Sequence, residues 1–544
     1  MAHELLRARK STYDREPHMT LLSIATGLLL FLNSCVAFLL FLYAINCYVM
    51  IFLHRRSSKR MLQHDQMVLE KWQTQPQELP HVTVQLPIYN ERYVVKRLLN
   101  AVACLHYPKD LLEIQVLDDS TDETTAIASR LVKRYCRQGF NMVLLHRSHR
   151  QGYKAGALKE GLEVAKGSFI AIFDADFVPT PDFLQRTLPF FQEPDIGMVQ
   201  TRWEHINREY STLTRAQAFG INGHFWVEQA ARCWSGLFMN FNGSGGIWRR
   251  QAIEAAGGWQ ADTLTEDLDL SYRAQLKGWR LKFLPQIVCP SEIPVQMSAV
   301  KSQQHRWAKG SIQTAKKLIP QILKADLPLF KKYQALCHLT NYMVHPLIVF
   351  VVLMSSLTFM LPVAALPGMH PLMATCFLMA TFAPSSMYLY AHYHLYGDWK
   401  RRLWAFPFLL IFGTGIALNN TKAILEAVFN VPSGFVRTPK FRIERVSDTW
   451  VGRRYHAPFP WLSIGEALLA LYCVFGMVYG LRYGASLMNP FHLLFTVSFI
   501  WVASLSFVEA WQKWQPHRRN KQGLRAAATP LAKRRLTRGK VKRV

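Results

Sequence analysis

The sequence predicts an α/β domain built on a parallel sheet, followed by a region of membrane-spanning α-helices. From residue 81 onward, apolar strand-like stretches alternate with helical patterns, which is typical of a parallel sheet with helices on both faces. Later in the chain, apolar runs are long enough to cross about 30 Å of hydrocarbon. These runs cover residues 336–362, 370–396, 461–482 and 489–511, and a further run covers residues 20–53.

The charge distribution also indicates a membrane protein. The chain has 64 Lys and Arg against 36 Asp and Glu, a net charge of +28. Basic residues gather at the ends of the apolar runs, which favours a positive-inside topology over nucleic-acid binding. We therefore expect no nucleic-acid partner. The scattered cysteines include no CxxC pair, which suits the reducing cytosol.

These patterns divide the chain into four regions. We predict an N-terminal transmembrane segment at 1–53 and a cytosolic α/β domain at 54–335 that ends in interfacial helices. A membrane region follows at 336–512, and a basic cytosolic tail at 513–544. Within the membrane region, residues 404–429 include several polar side chains and are predicted to be re-entrant or interfacial, and residues 430–460 form a loop.

Within the α/β domain, the elements are predicted in chain order. Strands are expected at 81–86, 112–117, 142–145 and 168–173, and helices at 92–104, 124–135 and 153–164. Ligands of such sheets bind beyond the carboxyl ends of the strands. Asp118 and Asp119 follow the second strand and Asp174 the fourth, so these carboxylates can share one crevice.

Two acidic clusters at strand ends are candidates for binding a nucleotide. Asp174 and Asp176 are like charges at short range and need a cation or donor between them; Mg²⁺ or Mn²⁺ bridging to a diphosphate is the natural partner. Asp118 and Asp119 can accept hydrogen bonds from a base or from ribose hydroxyls. In both clusters, turn formation and helix capping are the alternative explanation.

Two helix starts carry further candidates. Lys154 follows Gly152 at a predicted helix N-terminus, where an ammonium suits a phosphate, although it also fits a solvated surface. Residues 265–269 open a helical pattern with acidic side chains, which favour a helix N-terminus in any case. One of these carboxylates can also serve as a general base for an acceptor hydroxyl.

The segment Gln303-Gln304-His305-Arg306-Trp307 lies where the α/β domain gives way to the membrane. Arg306 offers a fork of donors for phosphate oxygens, and Trp307 offers a flat apolar face for a sugar. An interfacial helix with Trp and Arg anchors explains the same residues.

Taken together and in this order, the motifs resemble those of the processive family 2 glycosyltransferases, which include cellulose synthase and its plant cellulose synthase-like relatives. That family has the pattern D, DxD, TED and QxxRW before its membrane helices. Residues 152–158 and 241–243 look most similar to glucomannan and xyloglucan-backbone synthases. Residues 435–440 resemble the FxVTxK gating loop of cellulose synthase, but Arg437 stands where that pattern has Val.

The resemblance implies a GT-A (Rossmann-like) catalytic domain, an inverting transfer and a role for each motif. Asp267 would be the base, within the motif Thr265-Glu266-Asp267, and Trp307 would bind the acceptor. Asp174 and Asp176 would hold Mg²⁺ or Mn²⁺. The donor would be bound by Tyr89, Glu91, Asp118, Asp119, Lys154, Asp174, Gln303 and Arg306, and the gating loop would use Phe435, Thr438 and Lys440.

The implied function is polymerisation of a β-linked glucan, mannan or glucomannan from UDP-glucose or GDP-mannose, with export of the glycan through a bilayer. A multi-pass protein of a bacterial inner membrane is expected. Two alternatives remain open: a non-processive enzyme that glycosylates a membrane lipid, and, more distantly, a transporter with a nucleotide-binding domain. The sequence does not determine the linkage, the oligomeric state or any accessory subunit.

Overall fold

The computed structural model describes residues 16–74, 78–360, 369–455, 461–482 and 489–514. Its centre is a seven-stranded sheet with the strand order β3-β2-β1-β4-β6-β5-β7. The strands are β1 (Val82–Ile88), β2 (Leu112–Asp118), β3 (Asn141–His146), β4 (Phe169–Ile172), β5 (Ile196–His205), β6 (Gly246–Arg249) and β7 (Arg280–Ser291).

The first four strands lie within one or two residues of their predicted bounds. β1 pairs in parallel with both β2 and β4, and β2 pairs in parallel with β3. The predicted parallel pairing of these four strands is confirmed, and the sheet is mixed because β6, a strand that was not predicted, runs antiparallel to β4 and β5. β6 has four residues, and it follows a glycine-rich segment, Gly243–Gly245, rather than a predicted helix.

The α-helices surround the sheet and continue into the apolar region. They are α1 (Glu16–Thr74), α2 (Val95–Ala103), α3 (Thr124–Arg137), α4 (Tyr153–Val164), α5 (Phe183–Thr187), α6 (Thr212–Gly223), α7 (Ala230–Trp234), α8 (Arg250–Ala255), α9 (Glu266–Leu276), α10 (Met297–Lys324), α11 (Leu329–Leu339), α12 (Val344–Met360), α13 (Met369–Leu395), α14 (Trp399–Arg402), α15 (Phe406–Gly415), α16 (Ala417–Val428), α17 (Leu462–Arg482) and α18 (Asn489–Trp514). A π-helical turn, His224–Gln229, joins α6 to α7.

Both faces of the sheet are covered by apolar side chains. Successive residues of a strand point to opposite faces. In β4, Phe169 and Ala171 pack into one buried cluster, whereas Ile170 and Ile172 pack into another. With both faces closed, the carboxyl edge of the sheet is where polar side chains can gather.

Several helices could cross a membrane. By length and composition alone, four helices of the described residues qualify, or up to five if a bent pair counts as one span. The four are Gly27–Thr74, Trp399–Val428, Leu462–Arg482 and Asn489–Gln512, and the bent pair joins Leu329–Leu339 to Asn341–Leu357 at 57°. The re-entrant assignment of 404–429 stays a prediction, and most of the predicted tail lies outside the described residues.

Helix α10 connects the α/β domain to the apolar helices. The buried Lys301 Nζ lies 2.6 Å from Glu466 Oε2 on α17, and it also donates to Ser506 Oγ on α18 at 3.0 Å. The carboxylate of Glu509 on α18 accepts a hydrogen bond from the backbone N–H of Ser298 at 3.0 Å. The first turns of α10 are therefore fixed by the apolar helices.

Further along α10, Gly310 allows the helix to approach the segment that precedes α9. A Cβ at Gly310 would lie 2.6 Å from Cγ2 and Oγ1 of Thr265. That distance is too short for any real contact, so the absence of a side chain at this position determines how closely α10 packs beside Thr265.

We expect Gly310→Ala to destabilise the protein by about 1–3 kcal/mol, because the added methyl group overpacks the contact with Thr265. Thermal unfolding of the purified full chain measures the effect. The matched control is Gly397→Ala, since a Cβ at the exposed Gly397 meets nothing within 4 Å. Equal melting temperatures for the two variants would contradict the packing argument.

Candidate active site

One cavity lies at the carboxyl edge of the sheet, and most predicted site residues line it. The register pairs Ile88 with Asp118, so the segments that follow β1 and β2 emerge side by side. The predicted residues that line the cavity are Tyr89, Glu91, Asp119, Lys154, Asp174, Asp176, Thr265, Glu266, Asp267, Gln303, Arg306, Trp307, Phe435, Thr438 and Lys440. Their roles remain predictions.

Asp118 is the predicted residue that does not line this cavity. It is fully buried, its Oδ2 lies 2.9 Å from His146 Nδ1, and its Oδ1 accepts a hydrogen bond from Ser120 N at 3.0 Å. Asp119 does reach the cavity, where both of its oxygens accept hydrogen bonds from the Arg147 guanidinium at 2.6 Å. Of the two neighbouring carboxylates, Asp119 is therefore the one positioned to meet a ligand.

The two carboxylates that follow β4 are each paired with a lysine. Lys154 Nζ lies 2.5 Å from Asp174 Oδ1 and also donates to the carbonyl oxygen of Gly243 at 2.8 Å. Lys440 Nζ lies 2.8 Å from Asp176 Oδ2. Burial raises the pKa of Asp174 above its usual value, although Lys154 opposes the shift. Two like charges are thus held together by two cations from distant parts of the chain.

Asp267 is a half-buried carboxyl in the first turn of α9. Burial, reinforced by the neighbouring Glu266 charge, raises the pKa of Asp267 to about 7. Gly243, with φ +83°, lies against it, since a Cβ there would be 2.9 Å from Asp267 Oδ2. A carboxyl that is half ionised near neutral pH suits a general base.

Helix α10 displays the QxxRW residues on one face. Gln303, Arg306 and Trp307 are spaced i, i+3, i+4, so they lie on the same side of the helix, and all three line the cavity. Arg306 Nη2 donates to Thr438 Oγ1 at 2.9 Å. His305 points elsewhere, with its Nε2 2.9 Å from Glu426 Oε2 on α16.

The loop that follows α16 closes over the cavity. The Phe435 ring stacks on Tyr153 at 5.6 Å between centroids, and the Arg306 guanidinium lies 4.4 Å from the same Phe435 ring. Arg437, which departs from the gating-loop pattern, lies with Nε 3.1 Å from Glu91 Oε1. Burial raises the pKa of Glu91 to about 8 even though Arg437 opposes the shift.

Sequence reasoning missed several basic residues of this site. Besides Arg147 and Arg437, it missed Arg150, whose guanidinium lies 3.5 Å from the centre of the Tyr89 ring. Arg147 and Arg150 follow the end of β3, beside the ends of β1 and β2. The sequence does contain a signal for Arg147 and Arg150, because they belong to a basic segment that directly follows β3, the strand beside β2.

Comparisons with known proteins agree with this arrangement. Residues 80–310 match the model of "Glycosyltransferase like family 2". These residues form a family 2 glycosyltransferase domain. The match and the mixed sheet confirm the predicted GT-A fold class, and the relatives below confirm the predicted likeness to the cellulose synthase-like group.

Two curated relatives are plant enzymes. The chain is 42% identical over 250 residues to glucomannan 4-beta-mannosyltransferase 1 of Oryza sativa subsp. japonica, a match that covers 45% of this chain and 48% of the relative. It is 44% identical over 250 residues to glucomannan 4-beta-mannosyltransferase 2 of Arabidopsis thaliana, over 45% of this chain and 47% of the relative. The match spans about half the length of each relative. Plant relatives give no support to the expected bacterial membrane.

Solved structures are more distant. The mannosyltransferase PcManGT from Pyrobaculum calidifontis, in complex with GDP-Man and Mn2+, is 19% identical with a TM-score of 0.49 over 74% of this chain and all of that chain. TarS of S. aureus is 16% identical with a TM-score of 0.35 over 56% of this chain and 54% of that chain. Likenesses of this size support no conclusion about the ligands of this chain.

The two neighbouring aspartates give a direct test of the site. We expect Asp119→Asn to weaken binding of GDP or UDP by about tenfold, roughly 1.4 kcal/mol, because its carboxylate lines the cavity. Asp118→Asn should change the dissociation constant by less than about threefold and act mainly on stability, because an unpaired buried group costs free energy. Titration calorimetry on the full chain measures both constants, and equal losses of affinity would contradict the assignment.

Proposed function

We propose that this chain transfers hexose units from a nucleotide sugar to the end of a β-linked glycan, and so polymerises a mannan or glucomannan. One observation carries the proposal: the same cavity is lined by Asp119, Asp174, Asp267 and Arg306. The mannosyltransferase relatives support GDP-mannose over UDP-glucose as the donor and a β-1,4 linkage.

The transfer is a single displacement at the anomeric carbon. A hydroxyl of the acceptor attacks this carbon from the face opposite the diphosphate, and a new C–O bond forms as the bond to the phosphate oxygen breaks. The nucleoside diphosphate leaves with the electron pair of that bond, and the configuration inverts. The hydroxyl proton passes to Asp267, whose pKa of about 7 lets it act as the base at neutral pH.

The donor is bound by the cationic and polar wall of the cavity. Lys154 and Arg306 attract the diphosphate, and Arg306 can do so through two parallel hydrogen bonds. Gln303 lines the same cavity as Lys154 and Arg306. Tyr89, Glu91 and Asp119 lie at the ends of β1 and β2 and bind the nucleoside. Positive charge aimed at the leaving group stabilises the charge that develops there.

A divalent cation fits beside Asp174 and Asp176. Among the described residues, no group of three His, Cys, Asp or Glu side chains forms a complete metal cage. Mg²⁺, however, is commonly held by one or two carboxylates together with substrate phosphates. Both carboxylates line the cavity, and each is paired with an ammonium group, Asp174 with Lys154 and Asp176 with Lys440. When bound, Mg²⁺ or Mn²⁺ would neutralise charge on the diphosphate.

The acceptor is proposed to lie against Trp307, and the apolar helices to pass the glycan across the bilayer. On this proposal residues 54–335 are cytosolic in a multi-pass membrane protein, and residues 430–460 gate the cavity through Phe435, Thr438 and Lys440.

The glycolipid alternative has one observation in its favour, an apolar cavity lined by residues such as Met50, Ile348 and Phe495, which a lipid chain could occupy. Nothing observed favours the transporter.

Replacing the proposed base tests the mechanism. We expect Asp267→Asn to lower transfer by about 10²–10⁴-fold, the usual contribution of a general base, while GDP binding stays within about threefold. Transfer of radiolabelled mannose from GDP-mannose in isolated membranes measures the effect. Asp195→Asn, an exposed site that pairs with Arg280, is the control, and retained turnover in Asp267→Asn would remove Asp267 from this role.

The pH dependence gives a second test. Only the ionised form of Asp267 accepts a proton, so kcat/KM should fall as pH decreases through about 7 and approach a tenfold loss per pH unit below that. Initial rates with subsaturating donor across neutral and mildly acidic pH measure this limb. A rate that stays constant to about pH 5, well below the raised pKa, would be incompatible with Asp267 as the base.

A further inference from the structure

A basic surface lies where the apolar helices meet the α/β domain. Two segments of the chain form it: the part of α1 that follows the apolar run 20–53, and the segment that joins α13 to α15. Further along α1, Asp65 pairs with Lys282 of β7 at 2.6 Å, so this part of α1 leads directly to the sheet. The exposed basic residues of this surface, called here the basic border, are Arg55, Arg56, Lys59, Arg60, Lys400 and Arg401.

The two segments of the basic border lie side by side. His54 Nδ1 on α1 lies 3.2 Å from the hydroxyl oxygen of Tyr390 on α13. From Tyr390 a row of ring contacts leads to α14, with centroid distances of 4.5 Å from Tyr390 to His394, 5.0 Å from His394 to Tyr393 and 5.5 Å from Tyr393 to Trp399. The cations on α1 and on α14 therefore belong to one continuous surface.

The charge of the basic border is not compensated within the described part of the chain. None of its six side chains forms an ion pair with another described residue. Two acidic residues lie at this surface, but other arginines occupy them: Asp398 Oδ1 accepts a hydrogen bond from Arg402 Nε at 2.7 Å, and Glu209 Oε2 accepts one from Arg215 Nε at 2.8 Å. An anionic partner would therefore meet cations that have no competing carboxylate.

Exposed apolar and aromatic side chains surround these cations. Phe52 is exposed and precedes Arg55 and Arg56 by three and four residues, which places all three on the same side of α1. Tyr393 and Trp404 are exposed on either side of α14. Tyr and Trp are enriched at the boundary between hydrocarbon and water, and basic side chains near such a boundary extend their charges toward the headgroups. The basic border thus has the composition of a surface at headgroup depth.

A half-buried layer of arginines connects this surface to the α/β domain. The Arg402 guanidinium lies 4.1 Å from the centre of the Tyr396 ring, and the Tyr396 hydroxyl accepts a hydrogen bond from Arg208 Nη1 at 3.0 Å. The Arg215 guanidinium of α6 lies 4.7 Å from the centre of the Trp404 ring. A ligand at the basic border would therefore contact segments that are fixed to the domain.

We propose that the basic border binds the headgroups of anionic phospholipids in the leaflet next to the α/β domain. The proposal rests on the membrane placement in the proposed function, but it does not rest on the transfer reaction. A bilayer presents many anionic headgroups in one plane, which matches cations that are spread over two segments beside exposed aromatic rings. Each basic residue near an anionic surface contributes roughly a fivefold gain in affinity.

The test measures lipid binding by the purified full chain in a neutral detergent. The protein is titrated with short-chain phosphatidylglycerol, short-chain phosphatidylcholine and inorganic phosphate, and binding is followed by thermophoresis. We expect the wild type to bind phosphatidylglycerol at least about tenfold more tightly than phosphatidylcholine or inorganic phosphate. Added salt should weaken this binding, because the charges are exposed.

Removal of four charges from the basic border should reduce the preference for phosphatidylglycerol over phosphatidylcholine to less than about threefold. The substitutions in this variant are Arg55→Gln, Arg56→Gln, Lys400→Gln and Arg401→Gln. If the fourfold variant does not fold, the two substitutions on α1 and the two on α14 are tested separately, and each pair should lower the preference.

A control variant removes the same charge from exposed positions on α3 of the α/β domain. Its substitutions are Arg130→Gln, Lys133→Gln, Arg134→Gln and Arg137→Gln, at residues that form no ion pair with other described residues. The control should keep the wild-type preference. An equal loss of preference in both variants would show a general effect of net charge and would overturn the proposal.

Other outcomes would assign the surface differently. Equally tight binding of inorganic phosphate would indicate an ordinary anion site, and equally tight binding of a polyglutamate peptide would indicate an acidic protein partner; either result would overturn the lipid assignment. If the full chain is soluble and monomeric without detergent or lipid, the membrane placement in the proposed function is wrong, and the basic border falls with it. If the chain needs detergent but shows no preference for phosphatidylglycerol, only the basic border is wrong.

Discussion

The structure depends on the balance of charge around four carboxylates at the carboxyl edge of the sheet. Asp174, Asp176, Glu266 and Asp267 line one cavity, and like charges so close together are unfavourable unless cations offset them. The cations come from three separate segments: Lys154 from α4, Arg306 from α10, and Lys440 from the loop that follows α16. Moving any of these segments away from the sheet would leave carboxylates uncompensated, so charge balance and the position of these segments are coupled.

Helix α10 carries this constraint into the apolar region. One of its faces lines the cavity with Gln303, Arg306 and Trp307, and elsewhere on the helix Lys309 donates to Glu426 on α16 at 3.1 Å. Its first turns are held by the buried Lys301–Glu466 pair. Breaking a buried pair from one side is costly, which makes α10 a stiff connection. The candidate donor site, the Trp307 platform and the apolar helices therefore share one rigid element.

The parts of this arrangement with strong local patterns were predictable. The first four strands are apolar runs that end at turns or acidic residues, and α4 is found at its predicted bounds, Tyr153–Val164. Contacts between distant residues were not predictable. Asp118 and Asp119 are adjacent in the chain. Since apolar side chains cover both faces of the sheet, the alternation of residues along β2 does not indicate which of the two carboxylates reaches the cavity. In the sequence, Arg437 is a departure from the loop pattern. Its contact with Glu91 joins residues far apart in the chain and is visible only in the folded protein.

The product itself tests the central claim most directly. Purified full chain is incubated with radiolabelled GDP-mannose, and the product is analysed for chain length and linkage, with UDP-glucose as the competing donor. The account predicts a β-linked, mannose-containing chain of many sugars, with one GDP released for each mannose added. A lipid that carries a single sugar, or incorporation from neither donor, would contradict it.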